Sequence, residues 1–173
     1  MDDREVVATQ IGRPLRSAAN VIARCHLEMP VVTKVPPLLD DGTPFPTMYW
    51  LTCPLANRRV GRIESVGGVR SMERHTGGDR GFRERLDAAN ARYAAERDAL
   101  IPVDAEPRPT GGVGGTREGV KCLHAHYADH AAGNDNPVGE AVAPWVEPLD
   151  CVVPCVVESE DGAMANPAWS EPT

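Results

Sequence analysis

Proline and glycine, 16 of each in 173 residues, cut this chain into short pieces, and where they fall decides which pieces can be helix or strand. Gly12-Arg13-Pro14 closes a first segment in which Val6, Val7 and Ile11 recur at helical spacing behind an acidic first turn, so residues 3–11 read as a short helix. Two extended stretches follow, Ser17–Cys25 with Ala19, Val21 and Ala23 alternating, and Pro30–Val35; residues 26–29 can join them as a hairpin. Asp40-Asp41-Gly42-Thr43-Pro44-Phe45-Pro46-Thr47 is dense in turn formers. Its glycine offers positive φ and each proline fixes its own φ, which makes a shaped loop. Met48–Thr52 reads as a buried strand ending at Cys53, and Pro54 suits the first position of a helix carried by Val60 and Ile63 and stopped at Val66-Gly67.

A longer helix runs from Asp79 to Leu100, with Phe82, Leu86, Ala89, Tyr93 and Leu100 at helical spacing, and ends at Pro102. Residues 102–119, with Gly111-Gly112-Val113-Gly114-Gly115, read as a mobile surface loop. Val120–Ala132 is a further helix closed by Gly133-Asn134, and Asn136-Pro137 starts another through Val146. Cys151–Val157 offers at most an edge strand because Pro154 interrupts it, and disorder is expected from Ser159 onward. The expectation is an α+β fold: a small, mostly antiparallel sheet with strands near residues 17–25, 30–35 and 48–53, packed by about four to five helices. Residues 1–147 form a single domain in this reading, and residues 148–173 an acidic, Pro-rich, largely disordered tail. Two Phe, three Tyr and three Trp leave aliphatic side chains to fill the core.

No apolar run approaches the roughly 18–20 residues that span a bilayer, and the start Met1-Asp2-Asp3-Arg4-Glu5 is the opposite of a secretory leader. A cytoplasmic protein without membrane insertion is therefore expected. Residues 1–139 hold all 18 Lys and Arg and 18 of the 25 acids, so the net charge of −7 belongs to residues 140–173. Arg58, Arg59, Arg62, Arg70 and Arg74 crowd into one segment, diluted by Glu64 and Glu73. Without interleaved aromatics they read as a solvated helix face, with an anion or partner surface as the alternative, and no nucleic-acid partner is expected.

The chemistry-bearing residues concentrate in Lys121-Cys122-Leu123-His124-Ala125-His126-Tyr127-Ala128-Asp129-His130. In a helix, Cys122, His126 and His130 recur every four residues and share one face. A thiolate and neutral imidazoles suit a borderline-soft cation, and Cys25, Cys53, Cys151 or Cys155 can complete its ligand set. The competing arrangement puts Leu123 and Tyr127 in the core and leaves the histidines solvated or paired with Asp129. A paired C-x-x-C framework of zinc-finger type is missing. Cys25 and Cys53 each end an expected strand; as isolated thiols they are small buried apolar groups, and with His124 or His126 as base one of them is a nucleophile. Cys122 beside Lys121 near a helix start has a similar claim to reactivity. An odd cysteine count and a reducing compartment oppose disulfides. Gly114 and Gly119 have P-loop spacing, but Val120 and Lys121 follow where Lys-Ser/Thr is needed, which leaves generic anion binding by Arg117 and Lys121. Asp40 and Asp41 read as turn-capping groups.

Three ordered motifs carry a resemblance. Arg24-Cys25, then Asp41-Gly42-Thr43-Pro44-Phe45-Pro46-Thr47-Met48-Tyr49-Trp50-Leu51-Thr52-Cys53-Pro54, then Val120–Ala128 with Asn136-Pro137-Val138-Gly139 resemble the bacterial "domain of unknown function 501" family over roughly residues 5–147. The resemblance implies an uncharacterised protein of high-GC Gram-positive bacteria, whose gene commonly lies between those of a septum-formation initiator and an exopolyphosphatase. It maps the family motifs onto Cys25, Asp41, Gly42, Phe45, Cys53, Lys121, Cys122, His124, Asn136, Pro137 and Gly139. The chain departs from the family pattern just after Cys25, so His26 is not taken as a site residue. The leading expectation is that Cys25 and Cys53 meet Cys122, His124 and His126 in one site for a single transition metal, zinc first, held structurally or for hydrolysis. The rivals are a non-enzymatic partner-binding module of cell division or envelope growth, using the Arg58–Arg74 face, and a metal-free Cys/His thiol enzyme.

Overall fold

The structure, a computed structural model, describes residues 1–160 and 162–172. Among them are six α-helices and two small antiparallel sheets, an α+β arrangement as expected. α1 (Asp3–Ile11) is capped by the Asp2 carboxylate, which accepts from the Arg4 N–H at 3.3 Å, and it ends at Gly12 in the left-handed conformation. β1 (Asn20–Arg24), β2 (Pro30–Lys34) and β3 (Tyr49–Leu51) form a meander in that order. Each strand lies within its expected span and is shorter. β1, for instance, stops where the Glu28 N–H donates to the Cys25 carbonyl at 2.9 Å and closes the hairpin turn.

Pro54 opens α2 (Pro54–Ser65), with Cys53 at its N-cap, and α3 (Gly68–Gly78) follows after a short turn. α4 (Arg80–Asp98) is the long helix, capped by Asp79, whose carboxylate accepts from the Phe82 N–H at 3.0 Å. Leu86, Ala89 and Tyr93 are its core face. The Tyr93 hydroxyl accepts the N–H groups of Met48 and Tyr49, the latter at 3.2 Å, and fastens α4 to the start of β3. α5 (Leu123–Ala131) and α6 (Pro137–Val146) pack closely, because Gly139 sits where a Cβ would collide with the His126 carbonyl and the His130 Cβ. Val32, Leu51, Leu55, Val60, Leu123 and Val142 close the core between these helices and the sheet. No helix among the described residues is long and apolar enough to cross a membrane.

Two expectations are corrected. The segment 102–119 is tied down: Val113 is buried in a 3-10 turn (Val113–Gly115), its N–H donates to Asn90 Oδ1 at 3.0 Å, and the buried Arg97 donates to the Gly111 carbonyl at 2.6 Å. The glycine run that reads as flexibility supplies positive φ to a tight turn, at Gly111, Gly114 and Gly115. The tail is also structured. β4 (Val156–Ser159) and β5 (Gly162–Ala165) pair antiparallel against α1, where the Thr9 hydroxyl donates to the Ala163 carbonyl at 3.2 Å. Asp161 and Thr173, which the expected disorder also covered, lie outside the described residues. The tail's acids have no local cations, and this made it look disordered; Asp150 and Glu171 pair instead with arginines on α2.

Candidate metal centre

The N-terminus of α5 is approached by the C-terminal end of α2. Cys122 is the N-cap of α5 in extended conformation, and His124 lies in its first turn. Glu64, on the last turn of α2, places Oε1 to accept from the Leu123 N–H at 2.6 Å, a free donor of the α5 N-terminus. The other carboxylate oxygen, Oε2, stands 3.2 Å from His124 Nδ1, and Cys122 Sγ stands 3.9 Å from that same nitrogen. His124 Nε2 is 3.2 Å from the Asn57 carbonyl, which only accepts, so Nε2 carries a hydrogen. Glu64, Cys122 and His124 thus present three donor atoms all within 4.8 Å of one another, and they are the one such group among the described residues.

With Nε2 protonated, a neutral His124 aims the lone pair of Nδ1 at a carboxylate and a sulfur. The thiol can donate weakly to that lone pair, but the carboxylate contact is unfavourable unless a positive charge sits between the two atoms. A proton is one solution: the contact with Cys122, aided by the Glu64 charge, pushes the His124 pKa up to about 9 against the effect of burial. A metal ion is the other. A thiol–imidazole–carboxylate relay is not formed, because a relay uses the two ring nitrogens separately, whereas here the thiol and the carboxylate share one. Cys122 and His124 also line a cleft of about 360 Å³ together with Phe45, Tyr49 and Trp50. Phe45 comes from the shaped Pro-rich loop, and the Arg13 guanidinium lies 5.0 Å above the Trp50 ring.

The five ligands expected from sequence do not meet. His126 is fully buried: its Nδ1 faces Asn136 Oδ1 at 3.1 Å, burial lowers its pKa to about 4, and Nε2 has no partner. It ends a buried chain in which the Asn136 amide donates to Asp129 at 2.9 Å and Arg92 donates to the same oxygen at 2.5 Å. The His126/His130 side of α5 packs on α6 at Gly139. Cys53 is buried at the start of α2, and burial pushes its thiol up to about 11. Cys25 follows β1, and both cysteines face a pocket separate from the cleft of Cys122. Arg117 and Lys121 are exposed, and neither makes an ion pair among the described residues. The backbone donors expected to draw an anion there are already used, by Glu64 on Leu123 and by Glu73 on Val120.

Sequence reasoning missed Glu64, which looked like a charge diluting the arginine cluster. Only the packing of α2 on α5 makes it a candidate ligand. The arginine face is itself partly covered. Arg59 donates to the carbonyls of Val146 and Pro148 at 2.7 and 2.6 Å, Arg62 pairs with Glu171, and Arg58 lies 4.8 Å above the Trp169 ring.

The fold and site define a small α+β protein with a Glu/Cys/His donor group at the rim of an aromatic cleft. The chain belongs to the family described as "Protein of unknown function (DUF501)", whose profile matches residues 21–144 and so includes all three donors. No curated protein and no solved structure matches the chain.

Proposed function

We propose that this protein binds one divalent transition-metal ion, zinc in preference, through Glu64, Cys122 and His124, with a coordination position open to the aromatic cleft. The observation that carries the reading is the mutual approach of the three donor atoms within 4.8 Å. Thiolate, imidazole and carboxylate are each ordinary zinc ligands. The Asn57 carbonyl on Nε2 fixes the ring so that Nδ1 is the donor, and the Leu123 N–H orients Glu64; ligands held from behind in this way are the usual support of a metal site. Three protein ligands beside a cleft match the donor count of catalytic zinc, whose bound water has a pKa near 7 and serves hydrolysis. Arg13 and the rings of Phe45 and Trp50 then give the cleft a cationic, aromatic wall on which an anionic substrate with a flat group can rest.

Calorimetric titration of zinc into chelator-stripped protein tests this. The wild type takes up an equivalent of zinc that His124→Ala loses and that Glu64→Gln binds at least about tenfold more weakly. Identical titrations of wild type and His124→Ala would refute the reading.

A further inference from the structure

We propose a second, structural metal centre in which Cys25, Cys53, Cys151 and Cys155 hold one zinc ion and tie the C-terminal segment to the body of the fold. Four of the five cysteines come from three distant stretches: the turn after β1, the N-cap of α2, and the segment between α6 and β4. All four line one small pocket with about 10 Å³ of open space, on the order of room for a single water-sized particle. Its other walls, among them Leu27, Met29, Leu55 and Trp169, are apolar and include no carboxylate or imidazole. The donor set is therefore all sulfur, which selects a soft or borderline cation, and four protein ligands leave no open position, as in structural zinc sites.

Every one of these thiols is free of a disulfide. Two of the sulfurs are met by N–H groups: Trp169 Nε1 donates to Cys151 Sγ at 3.3 Å and Gln10 Nε2 to Cys155 Sγ at 3.4 Å. Thiols that only fill space need no such donors, whereas metal-bound thiolates are commonly supported by them. Three residues separate Cys151 from Cys155, within the two-to-four-residue gap of zinc-ligand cysteine pairs. His26 reinforces the junction, with Nε2 3.0 Å from the Cys151 carbonyl. No three of these four sulfurs stand within 4.8 Å of one another; an ion at the usual Zn–S distance of about 2.3 Å draws them inward. On binding, each thiol gives up its proton and its sulfur forms one bond to the ion.

This centre is independent of the Glu64/Cys122/His124 site, since Cys122 takes no part in it. The test is site-mapped alkylation of the full chain, purified without chelator, alongside zinc release. Cys25, Cys53, Cys151 and Cys155 are expected to resist N-ethylmaleimide together and to become reactive together when a chelator removes one zinc equivalent, in wild type and in His124→Ala alike. Hydrogen exchange over residues 148–160 is expected to rise in the same step. Cys151→Ser/Cys155→Ser is expected to bind one zinc equivalent fewer than wild type while Cys122 keeps its own response to chelator. Four thiols whose reactivity ignores the chelator, mass evidence that they are paired as disulfides, or a double-serine variant with undiminished zinc would each overturn the proposal. Release of Cys122 alone would overturn it while sparing the first site, and release of the other four alone would do the reverse.

Discussion

A neutral His124 turns its one free nitrogen toward the Glu64 carboxylate, which cannot donate to it, and leaves only the weak Cys122 thiol as a donor. That conflict, more than the presence of cysteine and histidine, marks the site. Two residues further on, His126 shows how the same residue type becomes structural: it is fully buried and bonded to Asn136. Asn136 also caps α6, accepting from the Gly139 N–H at 3.0 Å, and donates to Asp129. Asn136→Ala therefore removes a cap and leaves His126 and Asp129 short of buried partners. Urea denaturation is expected to show a loss of about 2–4 kcal/mol, and a loss below about 1 kcal/mol would contradict the network's importance. Asn136-Pro137 was legible as a helix start because cap and first-turn proline are local signals. The partnership with His126 was not, since a four-residue stripe of Cys122, His126 and His130 predicts a shared face without saying whether an ion or α6 covers it.

At the scale of elements, the short strands were placed by turn chemistry and, for the first, by alternation of Ala19, Val21 and Ala23, and α4 by its apolar spacing and the stop at Pro102. What joins them was hidden. Lys34 on β2 and Tyr49 on β3 both donate to Glu96 Oε1 on α4, at 2.7 and 2.8 Å. Burial raises the Glu96 pKa, but the Lys34 and Tyr49 bonds outweigh it and hold the carboxyl below its usual 4.5. The folded state thus binds this proton less readily than the unfolded chain. Its stabilising contribution is present above about pH 4.5 and is lost as pH falls through the folded pKa. Glu96→Gln is expected to flatten the acid side of the stability–pH profile from denaturation midpoints; an unchanged slope would contradict this. The tail was misread for a related reason, since its contacts belong to α1 and α2. Arg59→Ala removes donors to Val146 and Pro148 and the ion pair with Asp150, so hydrogen exchange is expected to rise at 147–151 and 169–172 while α4 stays protected. The arginine face is thus a seat for the chain's own C-terminal segment at Arg58, Arg59 and Arg62, whereas Arg70 and Arg74 remain exposed.

Across the whole molecule, the sequence concentrates thiols and imidazoles so strongly that a single convergent site is the natural expectation. The fold separates them into a Glu/Cys/His group on the aromatic cleft, a buried histidine network between α5 and α6, and a pocket of four thiols beneath the C-terminal segment. The chemistry was legible in Cys25, Cys53, Cys122 and His124, but their partition depends on which helix ends meet, and that is set by packing. Binding at a structural centre is also folding free energy, on the order of 10 kcal/mol for zinc-finger peptides, so stripping metal is expected to lower the melting temperature of the chain as a whole. The most direct test of the central claim is elemental analysis of tag-free protein purified without chelator, beside its His124→Ala variant. One zinc equivalent fewer is expected in the variant than in the wild type, with the fold retained by circular dichroism. Equal metal content in the two, or none in either, would contradict a metal centre at Glu64, Cys122 and His124.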